Sequence, residues 1–493
     1  MTDALVLLVV APIVAAVLPV GFGLVREGSG KLLALLLGLL QVGLSVQVLQ
    51  TVRSTGRFAY DVGNYTPPFG IELVADGVSA PLLVLIAVIT LAVVVYTWVT
   101  DPKGDAFYSE LAFLSAGLSG IVATGDVFNL YVFLEITGLA TYALVASNAS
   151  PASAYASLKY LIVGTIGASF YLLGIGYLLV ATGTLNMADL AGRIAAVGYT
   201  SPLVLAAFAL IVVGLGTKIA LFPLHTWQPD AYAESPHSVS AYIAALVSTA
   251  AAYALFRIVY GVFTVDFFQA VPPAQEAVSA VAAVSVIVGS VFAVLQSDLK
   301  RMLAYSSVSH FGLVVVGLSV GNATGVTGGL IHLVGHGVMK AGLFLAVGVF
   351  AMEAGVRTVR DLSGIGTRLP VTSAAFAVLA FSMVGVPPAV GFPGKWNILL
   401  GAVQAGEWLL AAIVAGSALL TLGYFGRLLE RMYFTDSEAT TPSETVATDG
   451  GTETVSTVAR ALVVLAALAA LALGLVAADL VAIFEPVMEV YFA

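Results

Sequence analysis

The chain has no cysteine among its 493 residues, which excludes disulfides, thiolate-held iron–sulfur clusters and thiol catalysis by this chain. Charge is scarce: 10% of residues are Asp, Glu, Lys or Arg, against about 25% in ordinary soluble domains. The net charge is −9, and no basic footprint suited to nucleic acid is present. There is no Walker loop, no dinucleotide fingerprint between a strand and a helix, and no hydrolase triad. Basic residues do not precede the first apolar run, so Met1-Thr2-Asp3 reads as the start of a retained transmembrane helix rather than a cleaved signal peptide. What the chain has in quantity is apolar surface: 60% hydrophobic residues and a mean hydropathy of +1.03. Such a chain belongs in lipid.

Apolar stretches long enough for about 30 Å of hydrocarbon recur near 4–25, 32–51, 79–100, 107–125, 127–147, 158–182, 203–226, 238–261, 275–296, 303–320, 325–351, 371–400, 406–433 and 460–484. The expectation is an all-α polytopic membrane protein of about fourteen transmembrane helices. Odd-numbered loops and their helix ends hold Arg26, Lys31, Lys103, Lys159, Lys300, Arg301, Arg357, Arg360, Arg368, Arg427, Arg431 and Arg460. Even loops hold only Arg53, Arg57, Arg193 and Arg257. The positive-inside rule then puts the odd loops in the cytoplasm and both termini outside. Residues 436–459 are rich in Thr, Ser and acidic residues and read as a disordered cytoplasmic loop before a C-terminal helix in 460–493.

Two spans are interrupted by proline: one at Pro223, shortly after Lys218, and one at Pro387-Pro388-Ala-Val-Gly391-Phe-Pro393, just before Lys395. Irregular backbone at membrane depth is tolerated where it lies in protein or lines water. Two interrupted helices about five helices apart suggest two inverted five-helix repeats. This divides the chain into helices 1–3 (residues 1–100), a first half (101–265) and a second half (266–435).

Charged residues inside spans carry the functional signal. An ammonium at mid-bilayer costs roughly 3 kcal/mol even on mild scales, so it faces a partner or a water-filled path. Lys218, Lys340 and Lys395 are such residues, as is Glu135. Burial weakens a lysine's hold on its proton and a nearby carboxylate strengthens it, so a movable Glu135–Lys218 pair could bind and release protons. His332, His336 and Lys340 are spaced by four; each step turns about 40° and rises about 6 Å, which lines them along one helix face. Neutral imidazole both donates and accepts, which suits proton transfer. Neighbouring turns of one helix cannot supply both axial faces of a haem, and zinc would need ligands that are not evident. No cofactor and no metal site is expected. His225, Asp230, Glu234 and His237 read as a solvated turn, and Asp298, Lys300 and Arg301 as a helix start.

At this point the motifs resemble a known family. KIALFPLHTWQPDAYAESP from Lys218, DLKRMLAYSSVS from Asp298, HLVGHGVMKAGLF from His332, Glu135 after Phe-Leu, and GVPPAVGFPGK ending at Lys395 are similar to signatures of the antiporter-like subunits of respiratory complex I, membrane-bound hydrogenases and Mrp cation/proton antiporters. Within that family the D-type Mrp polypeptide gives the best match of type. The resemblance implies a fourteen-helix fold with two inverted five-helix units and a proton relay through Glu135, Lys218, His332, His336, Lys340 and Lys395. It implies a subunit of a multi-subunit complex in a prokaryotic plasma membrane, exchanging protons for monovalent cations such as Na⁺. The alternative is a proton-pumping subunit of a complex I-like or hydrogenase complex, powered by electron transfer elsewhere. Either way the chain has no catalytic centre of its own. One position departs: where the family usually has Lys or His, this chain has Thr249.

Overall fold

The structure, a computed structural model, describes residues 3–23, 28–435 and 457–492. It is helical almost throughout. The helices are α1 (Asp3–Gly23), α2 (Gly30–Thr55), α3 (Ser79–Thr100), α4 (Asp105–Ala123), α5 (Val127–Ala146), α6 (Pro151–Thr182), α7 (Met187–Val197), α8 (Pro202–Ile219), α9 (Gln228–Glu234) and α10 (His237–Ala270). They continue with α11 (Pro272–Leu295), α12 (Leu299–Ser319), α13 (Ala323–Ala354), α14 (Pro370–Val384), α15 (Gly391–Gln404), α16 (Trp408–Phe434), α17 (Thr457–Leu475) and α18 (Ala477–Phe492). Among the described residues twelve helices are long and apolar enough to cross a membrane, and two shorter apolar helices are Asp3–Leu18 and Pro370–Val384.

Local chemistry sets the boundaries. The corner at Gly125-Asp126 separates α4 from α5, because Asp126 accepts the Asn129 amide at 2.7 Å and caps α5. Ser150 forms a capping box with Ser153 ahead of α6. Asn322 caps α13 and Asp298 caps α12.

Three features differ from the expectation. Residues 58–75 contain an antiparallel hairpin, β1 (Phe58–Asp61) with β2 (Glu72–Ala75), with Phe58 opposite Ala75. Its strands are four residues each, too short for an alternation to stand out beside long apolar runs. Amphipathic α7 follows α6, with Met187, Leu190 and Ile194 inward. The stretch 460–484 is not one helix but parts of two, α17 and α18. The loop expected at 436–459 falls largely outside the described residues.

The basic residues are also more deeply placed than a loop count suggests. Arg257 and Lys300 are buried. Lys300 donates to the Ser235 carbonyl at 2.6 Å. Arg257 lies twenty residues along α10 from His237, about 30 Å at 1.5 Å per residue. It pairs with Asp76 at 2.6 Å, in the turn before α3. Asp76 also accepts the amides of Val78 and Ser79 at 3.0 and 2.9 Å. Burial pushes the Asp76 carboxyl up, but the Arg257 guanidinium and these amides outweigh it and hold it below its ordinary 3.8. A carboxyl depressed in the fold stabilises above its unfolded value and loses that contribution as pH falls through the folded one. The pair is therefore expected to stabilise the fold at full strength through neutral pH and to fail only in strong acid. Asp76→Asn leaves a buried guanidinium without its carboxylate, at a cost of about 3–5 kcal/mol. A lower thermal unfolding midpoint of the purified protein, unchanged between pH 6 and 8 relative to the parent, is the expected result.

Candidate functional site

Both interrupted helices break in the same way. α8 ends at Ala220, which adopts φ +66°, and α14 ends at Gly385, with φ +98°. A left-handed residue stops the helix and turns its amide back onto the last carbonyls: Ala220 donates to Thr217, and Gly385 to Phe381 and Ser382. For alanine that conformation costs roughly 1–2 kcal/mol, so the surrounding packing imposes it. Lys218 lies in the last turn of α8, where the carbonyl end of the helix favours a cation. Lys395 is the fifth residue of α15, across the break, and its Nζ donates to the Val384 carbonyl at 3.1 Å. In both halves a lysine thus sits at the break, Lys218 on the segment before it and Lys395 on the segment after it.

Lys218 Nζ meets Glu135 Oε1 of α5 at 2.9 Å. The lysine side chain is 7% exposed and the glutamate 24%, so Glu135 is half-buried rather than enclosed as the sequence suggested. Lys340 and Lys395 pair with no carboxylate among the described residues. Lys340 Nζ instead donates to the Leu303 carbonyl at 2.7 Å and to Ser306 Oγ at 2.9 Å, both on α12.

From Lys340 a row of polar groups runs across three helices. The Ser306 hydroxyl is 3.0 Å from the Tyr424 hydroxyl of α16, which is 3.4 Å from His310 Nε2. His310 Nδ1 is 2.9 Å from His332 Nε2, so one ring donates and the other accepts. Gly394, beside Lys395, packs on the backbone of His332; a Cβ there would come within 2.9 Å of His332 N and Cα. Glycine at 394 is what lets α15 approach α13 at this level.

The row runs through His310, which the sequence motifs do not single out. It follows directly on DLKRMLAYSSVS, and a search for histidines within helix reach of Lys340 only along α13 passes it by. His336 is placed differently from the expectation. It shares the α13 face with His332 and Lys340, but neither ring nitrogen has a hydrogen-bond partner in the protein. Its ring packs at 4.5 Å on Phe311 and 6.1 Å from His310. Thr249 is buried and donates back to the Ala245 carbonyl at 2.7 Å, just past a wide turn of α10 over Ile243–Val247.

The residues expected in a solvated turn are largely enclosed. His225 is buried against Phe292 and Tyr305. Asp230 accepts from Lys159 at 2.7 Å and Arg301 at 2.8 Å, and Arg301 reaches Glu234 at 3.5 Å. A cavity of about 820 Å³ lies apart from the three lysines, lined among others by Arg53, Arg57, Glu72, Asp76, Arg257 and Tyr491. Among the described residues no three His, Asp or Glu side chains are grouped to hold a metal ion.

Buried lysines at two helix breaks, with a third lysine between them joined to hydroxyls and imidazoles inside a bundle of apolar helices, define a polytopic membrane subunit of the antiporter-like kind. The chain belongs to the NADH:quinone oxidoreductase/Mrp antiporter transmembrane family, which it matches over residues 124–421. It is 45% identical to the N-type polypeptide of the NADH-quinone oxidoreductase of Desulforudis audaxviator, over 82% of this chain and 81% of that one. It is 32% identical to the D-type polypeptide of the Na(+)/H(+) antiporter of Bacillus subtilis, over 76% of each. Its fold superposes with TM-score 0.89 on a chain of an archaeal membrane-bound sulfane sulfur reductase, at 30% identity and covering 99% and 97% of the two chains. The TM-score is again 0.89 for a chain of the Mrp complex from Dietzia sp. DQ12-45-1b, at 25% identity and covering 100% and 98%. Both neighbours are chains of multi-subunit membrane complexes.

Proposed function

We propose that this chain is the proton-conducting membrane subunit of a multi-subunit cation/proton antiporter, with Na⁺ as the exchanged ion. The observation that carries the reading is the row Lys340–Ser306–Tyr424–His310–His332, with Lys218–Glu135 at one interrupted helix and Lys395 at the other. Hydroxyls and neutral imidazoles each donate and accept, so a proton can move along them by successive hops. Glu135 gates Lys218 electrostatically, across the 2.9 Å contact between them. Protons then pass towards Lys340, His310 and His332 and leave near Lys395. His336 lies beside this row and joins it only through water. The two halves, 101–265 and 266–435, are the two working units, with the odd loops in the cytoplasm of a prokaryotic cell.

A second reading is supported by the 45% identity to a quinone oxidoreductase polypeptide. There the same relay is powered by electron transfer in partner subunits. One measurement separates the two: proton flux from the purified complex in liposomes under Na⁺ or K⁺ gradients, without electron donors. Flux that follows the Na⁺ step supports the antiporter. Flux that appears only with an electron donor replaces it with the redox-driven pump.

A further inference from the structure

One polar group beside the Lys218–Glu135 pair has no part in the path described so far. Tyr142 follows Glu135 by seven residues, two turns along α5, so both side chains leave the same face, with Gly138 between them. Tyr142 is 4% exposed, and its hydroxyl has no hydrogen-bond partner in the protein. Two glycines lie against that oxygen. A Cβ on Gly164 of α6 would come within 2.1 Å of it, and one on Gly138 within 3.0 Å. The same Cβ on Gly138 would stand 3.3 Å from Lys218 Nζ, so hydroxyl and ammonium pack on one bare patch of α5. The ammonium acts on the hydroxyl there, yet the contact falls short of hydrogen-bond geometry.

Packing does not account for the oxygen. Phenylalanine would fill the space with the same ring and bury no unpaired polar atom. The ring itself is held. It meets Tyr160 edge-on at 4.7 Å, Tyr160 stacks on Trp227 at 3.8 Å, and Trp227 Nε1 donates to the Thr217 carbonyl at 3.0 Å, next to Lys218. The aromatic contacts thus return to the helix end that carries the lysine. An ammonium has three N–H donors, and among the described residues Glu135 alone takes one from Lys218. A free acceptor and free donors therefore face the same patch.

We propose that Tyr142 is the second partner of Lys218: when the contact with Glu135 opens, the ammonium donates to the Tyr142 hydroxyl across Gly138. The inference rests on the proton-path reading above. No bond to hydrogen breaks in this exchange; one N–H···O contact replaces another, and Tyr142 keeps its proton. Tyr142 is therefore a positioning residue. It holds the lysine side chain between pairings instead of leaving a bare ammonium in an apolar bundle. Gly164 serves it indirectly, because a side chain there would push the hydroxyl out of its place.

The test uses the assembled complex in liposomes, with proton flux read by a pH-sensitive dye and driven by whichever of an ion step or an electron donor moves protons in the parent. Tyr142→Phe is expected to slow flux about tenfold, the scale of one hydrogen bond. Its thermal unfolding midpoint should be no lower than the parent's, because an oxygen without a partner adds no stability. The nearest neighbours of a Cβ at position 164 are all atoms of Tyr142. Gly164→Ala is therefore expected to slow flux by a similar factor, and the double variant no further. Parental flux in Tyr142→Phe overturns the proposal. So does a lowered midpoint, which marks a packing role. A double variant that regains parental flux, or that loses the product of the two factors, overturns it as well. Tyr142→Phe removes a single oxygen and decides alone if Gly164→Ala does not assemble. Lys218→Ala, run alongside, separates the two ideas. If it stops flux while Tyr142→Phe does not slow it, the second partner alone fails; if it leaves flux unchanged, the path itself fails.

Discussion

Lys218→Ala is expected to lower proton flux through the assembled complex by about a hundredfold or more, the scale set by removing a positioned proton-transfer group. Among the described residues Lys218 is the one relay lysine with a carboxylate partner, at 2.9 Å, and the approach of that neighbour can switch it. Glu135→Ala should slow flux as well, but for the opposite reason. It leaves the ammonium without a counter-charge in an apolar bundle, so the switching partner that would drive loading is gone. The two variants should differ in stability. Glu135 keeps a 24% exposed side chain when Lys218 is lost, whereas Lys218 is 7% exposed when Glu135 is lost, so Glu135→Ala should unfold at the lower temperature. Dye-monitored flux in liposomes, with thermal unfolding of the same preparations, measures both. Undiminished flux in Lys218→Ala, Glu135→Ala and Lys395→Ala would sink the relay.

The second large effect is expected at His310. His310→Phe keeps an aromatic ring but removes both links at once, to His332 at 2.9 Å and to Tyr424 at 3.4 Å. Flux should fall about a hundredfold. Tyr424→Phe, which interrupts the same row one step earlier, should fall less, since water can bridge Ser306 and His310. His336→Phe is the contrast. Its nitrogens bond no protein group, so the expected loss is a few-fold at most, roughly that of one water-mediated contact. An equal or larger loss at His336 than at His310 would move the path onto the α13 stripe and away from the cross-helix row.

The contrast between these histidines shows how far a sequence reaches. Lys218, Lys340 and Lys395 stand out without coordinates, because a charge in a long apolar run is conspicuous by its cost. The two helix breaks are equally visible, since proline announces them. Spacing by four correctly puts His332, His336 and Lys340 on one face, but periodicity describes only one helix. The hydrogen-bonded row crosses from α13 to α12 and α16, and nothing in the one-dimensional pattern says that Ser306, His310 and Tyr424 meet there. Arg257 is misplaced by the loop count for a related reason. Near the end of an apolar stretch it passes for a loop residue, and its partner Asp76 lies 181 positions away. The hairpin and α7 stay hidden because short elements between long spans leave weak patterns.

α13 has a consequence for the speed of transport. From Gly325 to Phe350 every residue except Val338 is buried, and the helix is packed by α3, α10, α12, α14, α15, α17 and α18. A rod enclosed on all sides cannot rock or slide without repacking its neighbours, and close-packed interiors resist such shifts. Displacements of whole helices take microseconds to milliseconds, whereas small side-chain reorientations can be over in nanoseconds. With α13 fixed in place, transport along the proposed row would be paced by rotating side chains and waters rather than by the clock of a moving scaffold.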